Sequence, residues 1–189
     1  MAAGSILGWI NSDDLLEPGA LGRVARVFEA ELDVVLVAGC AALIDSEGAL
    51  RGMIGTPLES TYDGLVRSEP NPAQPATFFR ADAYHKVGGL DRAYDLAMDV
   101  DLWLRLARIG RVHYLPDEVL ARFRVHETAK SVVGLTLAIR EDFSIRRSHG
   151  LRLRSEAGLG FLRRGYVVPV LRPIKRRVVR AVRNLLIGG

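Results

Sequence analysis

Trp9-Ile10-Asn11-Ser12-Asp13-Asp14 is the stretch on which the fold turns. The apolar run ahead of it, Ile6-Leu7-Gly8-Trp9-Ile10, reads as a buried strand that stops abruptly at two adjacent carboxylates, with Pro18-Gly19 following. In an α/β sheet, ligand-binding groups lie outside the carboxyl ends of the strands. A strand that ends in paired acids before a turn is therefore a candidate cation site. Asn, Ser and Asp are also ordinary turn formers, and Asp14 could cap a helix beginning near Pro18. The stretch taken alone leaves both readings open.

The flanking pattern is that of an α/β domain. Pro18-Gly19 opens a helix through about Ala30, with Leu21, Val24, Ala25 and Phe28 on one face. Asp33 to Ile44 is the strongest strand, apolar on both faces as a covered central strand should be. Asp45-Ser46-Glu47-Gly48 is a turn. Residues 49–73, broken by Pro57, Pro70 and Pro72, read as an irregular loop with a short helix around Thr61–Arg67. Gln74 to Arg80 is a further strand, and Asp82 to Val87 a short helix stopped by Gly88-Gly89. Residues 99–109 form the clearest helix, with Val100, Trp103, Leu104 and Ala107 on one face and Gly110 as its end. Arg111–Leu115 and Val119–Val125 read as two short strands, and a helix runs from about Val132 to Ser148.

A chain of 189 residues with 49% hydrophobic and 25% charged content is expected to form one domain plus an appendage. The single cysteine, Cys40, excludes an intramolecular disulfide and a thiolate metal cluster; its apolar surroundings predict a buried, inert thiol. Met1-Ala2-Ala3-Gly4 has no charged leader region, so a secretory signal is not expected, and no apolar stretch is long enough to span a bilayer. The net charge of +4 is uneven: from Leu151 onward ten basic residues face the single acid Glu156, leaving −5 for residues 1–150. From Pro173 on, Ile174, Val178, Val182 and Leu185 line one helical face with the arginines largely off it. Such a tail suits an anionic membrane surface; nucleic acid is not expected as a partner, since aromatic and basic residues do not interleave.

Three further motifs follow the acidic one. Gln74-Pro75-Ala76-Thr77-Phe78-Phe79-Arg80 precedes Val87-Gly88-Gly89-Leu90-Asp91, where the glycines either end a helix or permit close backbone approach to a ligand. Ala97-Met98-Asp99-Val100-Asp101-Leu102-Trp103 places acids at a helix start, where Asp99 can cap the helix with Asp101 favoured by the helix dipole, or act as a base. Trp103 belongs on the apolar face, in the core. The fourth motif is Arg122-Phe123-Arg124-Val125-His126-Glu127-Thr128-Ala129-Lys130-Ser131.

In this order, over roughly residues 4–131, the four motifs resemble family 2 glycosyltransferases, in the subset reading Asn-Ser-Asp-Asp and Met-Asp-x-Asp-Leu-Trp. The resemblance implies a partial GT-A (Rossmann-like) mixed sheet flanked by helices that lacks most of the N-terminal nucleotide-binding half. On this reading residues 1–131 are the metal and acceptor part of the domain, 132–150 a helix packing on it, and 151–189 a basic amphipathic helical tail. It implies a divalent cation, Mn²⁺ or Mg²⁺, held by Asp13 and His126. A nucleotide-sugar donor would meet Asn11, Asp14, Arg124 and Lys130, and a saccharide or lipid-linked acceptor would meet Gly88, Gly89, Asp91 and Met98. Asp99 would be the general base of an inverting transfer in cell-surface polysaccharide or glycolipid synthesis. The expected place is the cytoplasm, with the tail on the inner face of the plasma membrane. The alternative is a catalytically inactive, truncated remnant that binds membrane or a partner.

Overall fold

The computed structural model describes residues 3–56, 61–67, 71–125, 134–152 and 156–162. In chain order the elements are β1 (Ile6–Leu7), β2 (Leu15–Leu16), α1 (Ala20–Ala30), β3 (Val34–Ile44), β4 (Leu50–Ile54), α2 (Tyr62–Arg67), a 3-10 turn at Gln74–Ala76, β5 (Thr77–Arg80), α3 (Ala81–Lys86), α4 (Met98–Ala107), β6 (Arg111–Arg124), α5 (Leu135–Ser148) and α6 (Glu156–Leu162).

The valine-rich β3 is central, as its two-sided apolar pattern predicts. Along one edge it pairs in parallel with β6 over its whole length, from Val34 opposite Arg111 to Ile44 opposite Arg124. Its other edge is shared by β5, antiparallel at Leu36–Ala38, and β4, antiparallel at Ala41–Ile44. β1 extends the sheet beyond β5, and β2 extends it beyond β6.

The strand period then sorts the core into two layers. Leu36, Ala38 and Phe79 face α4 and α5, where Leu102, Trp103, Leu106 and Ile145 are fully buried. Val34, Val37, Ala41 and Phe78 face α1 through Ala20, Val24 and Phe28. The result is a mixed sheet flanked by helices.

Several local expectations give way to tertiary packing. The strand expected at residues 5–10 is only Ile6–Leu7. Gly8 lies against the Phe78 ring, and the Trp9 carbonyl accepts the Gln74 side-chain amide. Trp9 itself turns into an aromatic cluster. On α1 the buried set is Ala20, Val24 and Phe28, whereas Leu21 is 59% exposed, so the apolar face is rotated from the one expected. Residues 49–73 contain β4, a hairpin partner of β3 built on the Asp45 turn; Asp45 Oδ1 accepts the amides of Glu47 and Ala49 at 3.0 and 2.9 Å. Gln74–Ala76 is 3-10 rather than strand. The two short strands expected around Pro116 are one continuous β6, because register shifts opposite Gly39–Ala41 absorb the extra residues. Cys40 is buried as expected, its thiol donating to the Pro116 carbonyl at 3.0 Å. The helix expected from Val132 is described from Leu135; residues 126–133 and 163–189, which include most of the basic tail, lie outside the described residues.

Gly39 lies where β3 and β6 change register. A Cβ there would meet Leu120 Cγ at 2.5 Å and the Glu118 carbonyl oxygen at 2.8 Å. Overpacking of this kind typically costs about 1–3 kcal/mol. Gly39→Ala is therefore expected to lower stability by about that amount, read as a lower urea midpoint at unchanged slope.

Candidate functional site

The Asn11–Asp14 loop joins β1 to β2, and its tip is closed by the Asp14 amide donating to the Asn11 carbonyl at 3.2 Å. Asp14 is only 6% exposed. Its Oδ1 accepts the Arg124 backbone amide at 2.8 Å, and its Oδ2 accepts Asn11 Nδ2 at 3.0 Å. Burial raises the Asp14 pKa, the Arg124 amide and Asn11 oppose that rise, and neighbouring Asp13 adds to it. Asp14 does not cap α1. Gly19 holds the N-cap position in the left-handed region, φ 76°, without a side-chain cap.

Arg124 completes the loop's attachment. Its Nε donates to the Asp13 carbonyl at 3.0 Å, and its Nη1 to the carbonyls of Asp45 and Ser46 at 2.6 and 2.9 Å. The end of β6 is thereby stapled to both the acidic loop and the β3–β4 turn. A phosphate approaching Arg124 would have to meet Nη2. Asp13 is partly buried beside this staple. His126 and Lys130, two of the expected ligand-contacting residues, lie outside the described residues.

The second acid-bearing segment is the start of α4. Ala97 is the N-cap and has no side-chain cap, so Asp99 is the second residue of the helix rather than its cap. Asp99 is partly buried; its Oδ1 accepts the Val100 amide at 2.8 Å. Burial pushes its carboxyl up to about 6, with the negative Asp142 on α5 adding to the rise. Asp101 has a structural role. It is 6% exposed and takes Arg105 Nε at 2.8 Å and Nη2 at 2.5 Å, while Arg105 Nη1 reaches the Val87 carbonyl at 2.7 Å. This ties α4 to the residue just before the glycine pair.

Gly88, Gly89, Asp91 and Met98 all line one open cavity of about 660 Å³, together with Tyr84, His85, Leu90, Arg92 and Tyr94. Gly88 and Gly89 have φ values of 85° and 73°, which few other residues adopt. At Gly89 a Cβ would lie 3.0 Å from Tyr84 Oη, so the missing side chain also makes room for that tyrosine. Trp9 stacks on Trp103 at 5.4 Å and meets Phe79 edge-on at 5.9 Å. Trp9 is two residues ahead of Asn11, and Trp103 is one helical turn beyond Asp99. Both acid-bearing segments are thus packed onto the same aromatic cluster.

Sequence reasoning missed Tyr84, Tyr94, Asp142 and Glu141. The Glu141 carboxylate accepts the amides of Asp95, Leu96 and Ala97. A charged residue on an amphipathic helix gives no sequence signal for that.

Among the described residues, no group of three or more His, Cys, Asp or Glu side chains is placed to hold a metal ion. Both oxygens of Asp14 are committed to hydrogen bonds. Asp14 is therefore a loop-building residue in this arrangement, and a divalent cation here would have to be completed by a ligand's phosphates and water, as is common for Mg²⁺.

The sequence matches no protein-family model and no curated protein. Its structure is similar to that of S. aureus TarS. Against residues 1–349 of TarS in complex with UDP-GlcNAc the TM-score is 0.57 at 12% identity, covering 88% of this chain and 50% of that one. Against the same segment in complex with UDP the TM-score is 0.54 at 13% identity, covering 88% and 48%. The chain spans about half the length of these structures. Its fold, a mixed sheet flanked by helices, resembles the TarS GT-A domain.

The raised Asp99 pKa has a stability consequence of definite sign. The folded chain holds the proton to about 6, the unfolded chain only to about 3.8, so stability is lost as pH rises between those values. Asp99→Asn keeps the acceptor for the Val100 amide and removes the buried charge. It is expected to stabilise the chain at neutral pH by about 1–3 kcal/mol, the difference shrinking toward zero at about pH 4. Urea unfolding of both forms across this range checks it.

Proposed function

We propose that the chain carries the metal- and acceptor-side part of an inverting glycosyltransferase, moving a sugar from a nucleotide-diphospho-sugar to an acceptor hydroxyl. The observation that carries this reading is the position of Asp99. Asp99 directly follows Met98, a residue of the 660 Å³ cavity wall, and its carboxyl is raised by burial, on a fold shared with a protein crystallised with UDP-GlcNAc. A carboxyl with a pKa near 6 is largely ionised at neutral pH yet basic enough to take a hydroxyl proton in the transition state.

Asp99 accepts the acceptor's proton as that oxygen attacks the anomeric carbon. The bond from the anomeric carbon to the diphosphate breaks in the same in-line displacement, inverting the centre. Tyr84 and Tyr94 offer ring faces for a saccharide acceptor, and Asp91 and Arg92 offer hydrogen bonds to its hydroxyls. On the donor side, Asn11 addresses the nucleotide portion, while Arg124 and Lys130 offer positive charge to the leaving diphosphate. Asp13, with His126 as a second ligand, would hold a divalent cation, whose chemistry there would be to add positive charge beside that diphosphate. The basic tail places the protein against an anionic membrane surface on the cytoplasmic side, near a surface-polysaccharide or lipid-linked acceptor.

One observation favours a second reading. Ten basic residues stand against one acid from Leu151 onward, which suits a module that binds an anionic membrane or partner without transferring sugar.

Calorimetric titration of the full chain with a panel of nucleotide-sugars, with and without Mn²⁺, separates the two. Mn²⁺-dependent binding is expected, weakened at least about tenfold by Asp13→Ala and unchanged by Asp99→Asn. Transfer to a saccharide acceptor should fall by about 10²–10⁴-fold in Asp99→Asn. Absence of Mn²⁺-dependent binding for every donor supports the second reading instead.

A further inference from the structure

We propose that Glu141 is a positioning residue for the site: from α5 its carboxylate fixes the bridge between Tyr94 and Met98, and through that bridge the direction of Asp99. The inference rests on the glycosyltransferase reading for its catalytic consequence, but its geometry stands apart from it.

Both carboxylate oxygens of Glu141 are engaged. Oε1 accepts the Asp95 amide at 3.1 Å, and Oε2 accepts the amides of Leu96 and Ala97 at 2.8 and 3.0 Å. These are the three consecutive residues that separate Tyr94 from Met98, and both of those line the 660 Å³ cavity. Asp99 is the next residue.

The first amides of a helix lack intrahelical partners, and Ala97 brings no capping side chain. Glu141 accepts the N-cap amide of Ala97 and the two amides ahead of it, bringing from a distant helix a negative charge to a place the α4 dipole favours.

The clamp is delivered from a rigid element. Arg146, five residues further along α5, is fully buried; it bonds Asp142, Asn71 and the Leu65 carbonyl, and the Val66 carbonyl at 3.0 Å. Phe143 and Ile145 lie in the core. By contrast, the remainder of α4 is held without Glu141, through buried Val100, Leu102, Trp103, Leu104 and Leu106 and the Asp101–Arg105 pair. Loss of Glu141 should therefore loosen residues 95–97 while leaving the domain folded. Asp142, the charged group facing Asp99 from α5, keeps its own bonds to Arg146 and Asn71 in such a variant.

The test uses the full chain and the variants Glu141→Gln and Glu141→Asp. Gln has one acceptor oxygen where Glu has two and turns an N–H₂ toward the amides; Asp keeps the charge on a shorter arm. In Glu141→Gln, amide exchange at residues 95–97 should accelerate about tenfold or more, with exchange at Trp103–Leu106 unchanged. The Asp99 carboxyl, followed by ¹³C NMR, should titrate closer to an ordinary aspartate as water reaches it, and Glu141→Asp should fall between. Under the proposed reaction, kcat should drop about tenfold or more at a donor KM within about twofold of the wild type, since the donor-side loop has separate attachments. Faster exchange with an unmoved Asp99 titration would make Glu141 a helix cap only and overturn the proposal, as would unchanged exchange. A wild-type chain without transfer activity defeats the glycosyltransferase reading, while exchange and titration still decide the role of Glu141.

Discussion

One buried carboxylate holds the acidic end of the molecule together. Asp14 reaches the amide of Arg124, 110 residues away in the chain, and the Arg124 side chain turns back to the carbonyls of Asp13, Asp45 and Ser46. Three segments meet there: the loop after β1, the end of β6 and the turn after β3. Asp14 itself is buried, where an unmade hydrogen bond is costly, while the Asp45 and Ser46 carbonyls meet Arg124 nearer the surface. The set satisfies itself mutually, so that Asp14 builds the loop that carries Asp13.

The contact between α5 and α4 follows a similar logic with different parts. α5 brings Arg146 into the interior, and its guanidinium meets Asp142, Asn71 and two backbone carbonyls. A buried ion pair is a weak source of stability in itself. Here it fixes the depth and rotation of α5, so that residues 141 and 142 arrive at defined positions beside α4. Asp142 adds to the rise that burial gives the Asp99 carboxyl, and Glu141 holds the backbone ahead of it.

Much of the architecture was legible because it follows from periodicity. The two-sided run of β3 and the helical stripe of α4 depend on burial alone, and burial leaves a pattern in the residues. What escaped were features decided by partners far along the chain. Trp9 leaves its strand because Trp103 and Phe79 offer it a ring cluster. Proline at position 116 does not divide β6, because the neighbouring strand shifts register around it. β4 was hidden in a loop of mixed composition, since only the Asp45 turn and the free edge of β3 make it a strand. Among the site residues, Gly88, Gly89, Asp91 and Met98 do share a cavity, whereas Asp14 and Arg124 are drawn into mutual support that no local spacing reveals.

The parallel seam between β3 and β6 also governs how the domain can be assembled. Antiparallel partners of β3 come from the neighbouring β4 and from β5, but Val34 must wait for Arg111. Ordering so long an intervening loop has an entropic cost before the seam returns any contact, so parallel closure is slow compared with hairpin formation. During synthesis, the most apolar strand of the chain therefore emerges long before the strand that covers it. Its bare edge is a natural client for a chaperone and the segment most prone to mispairing between nascent copies.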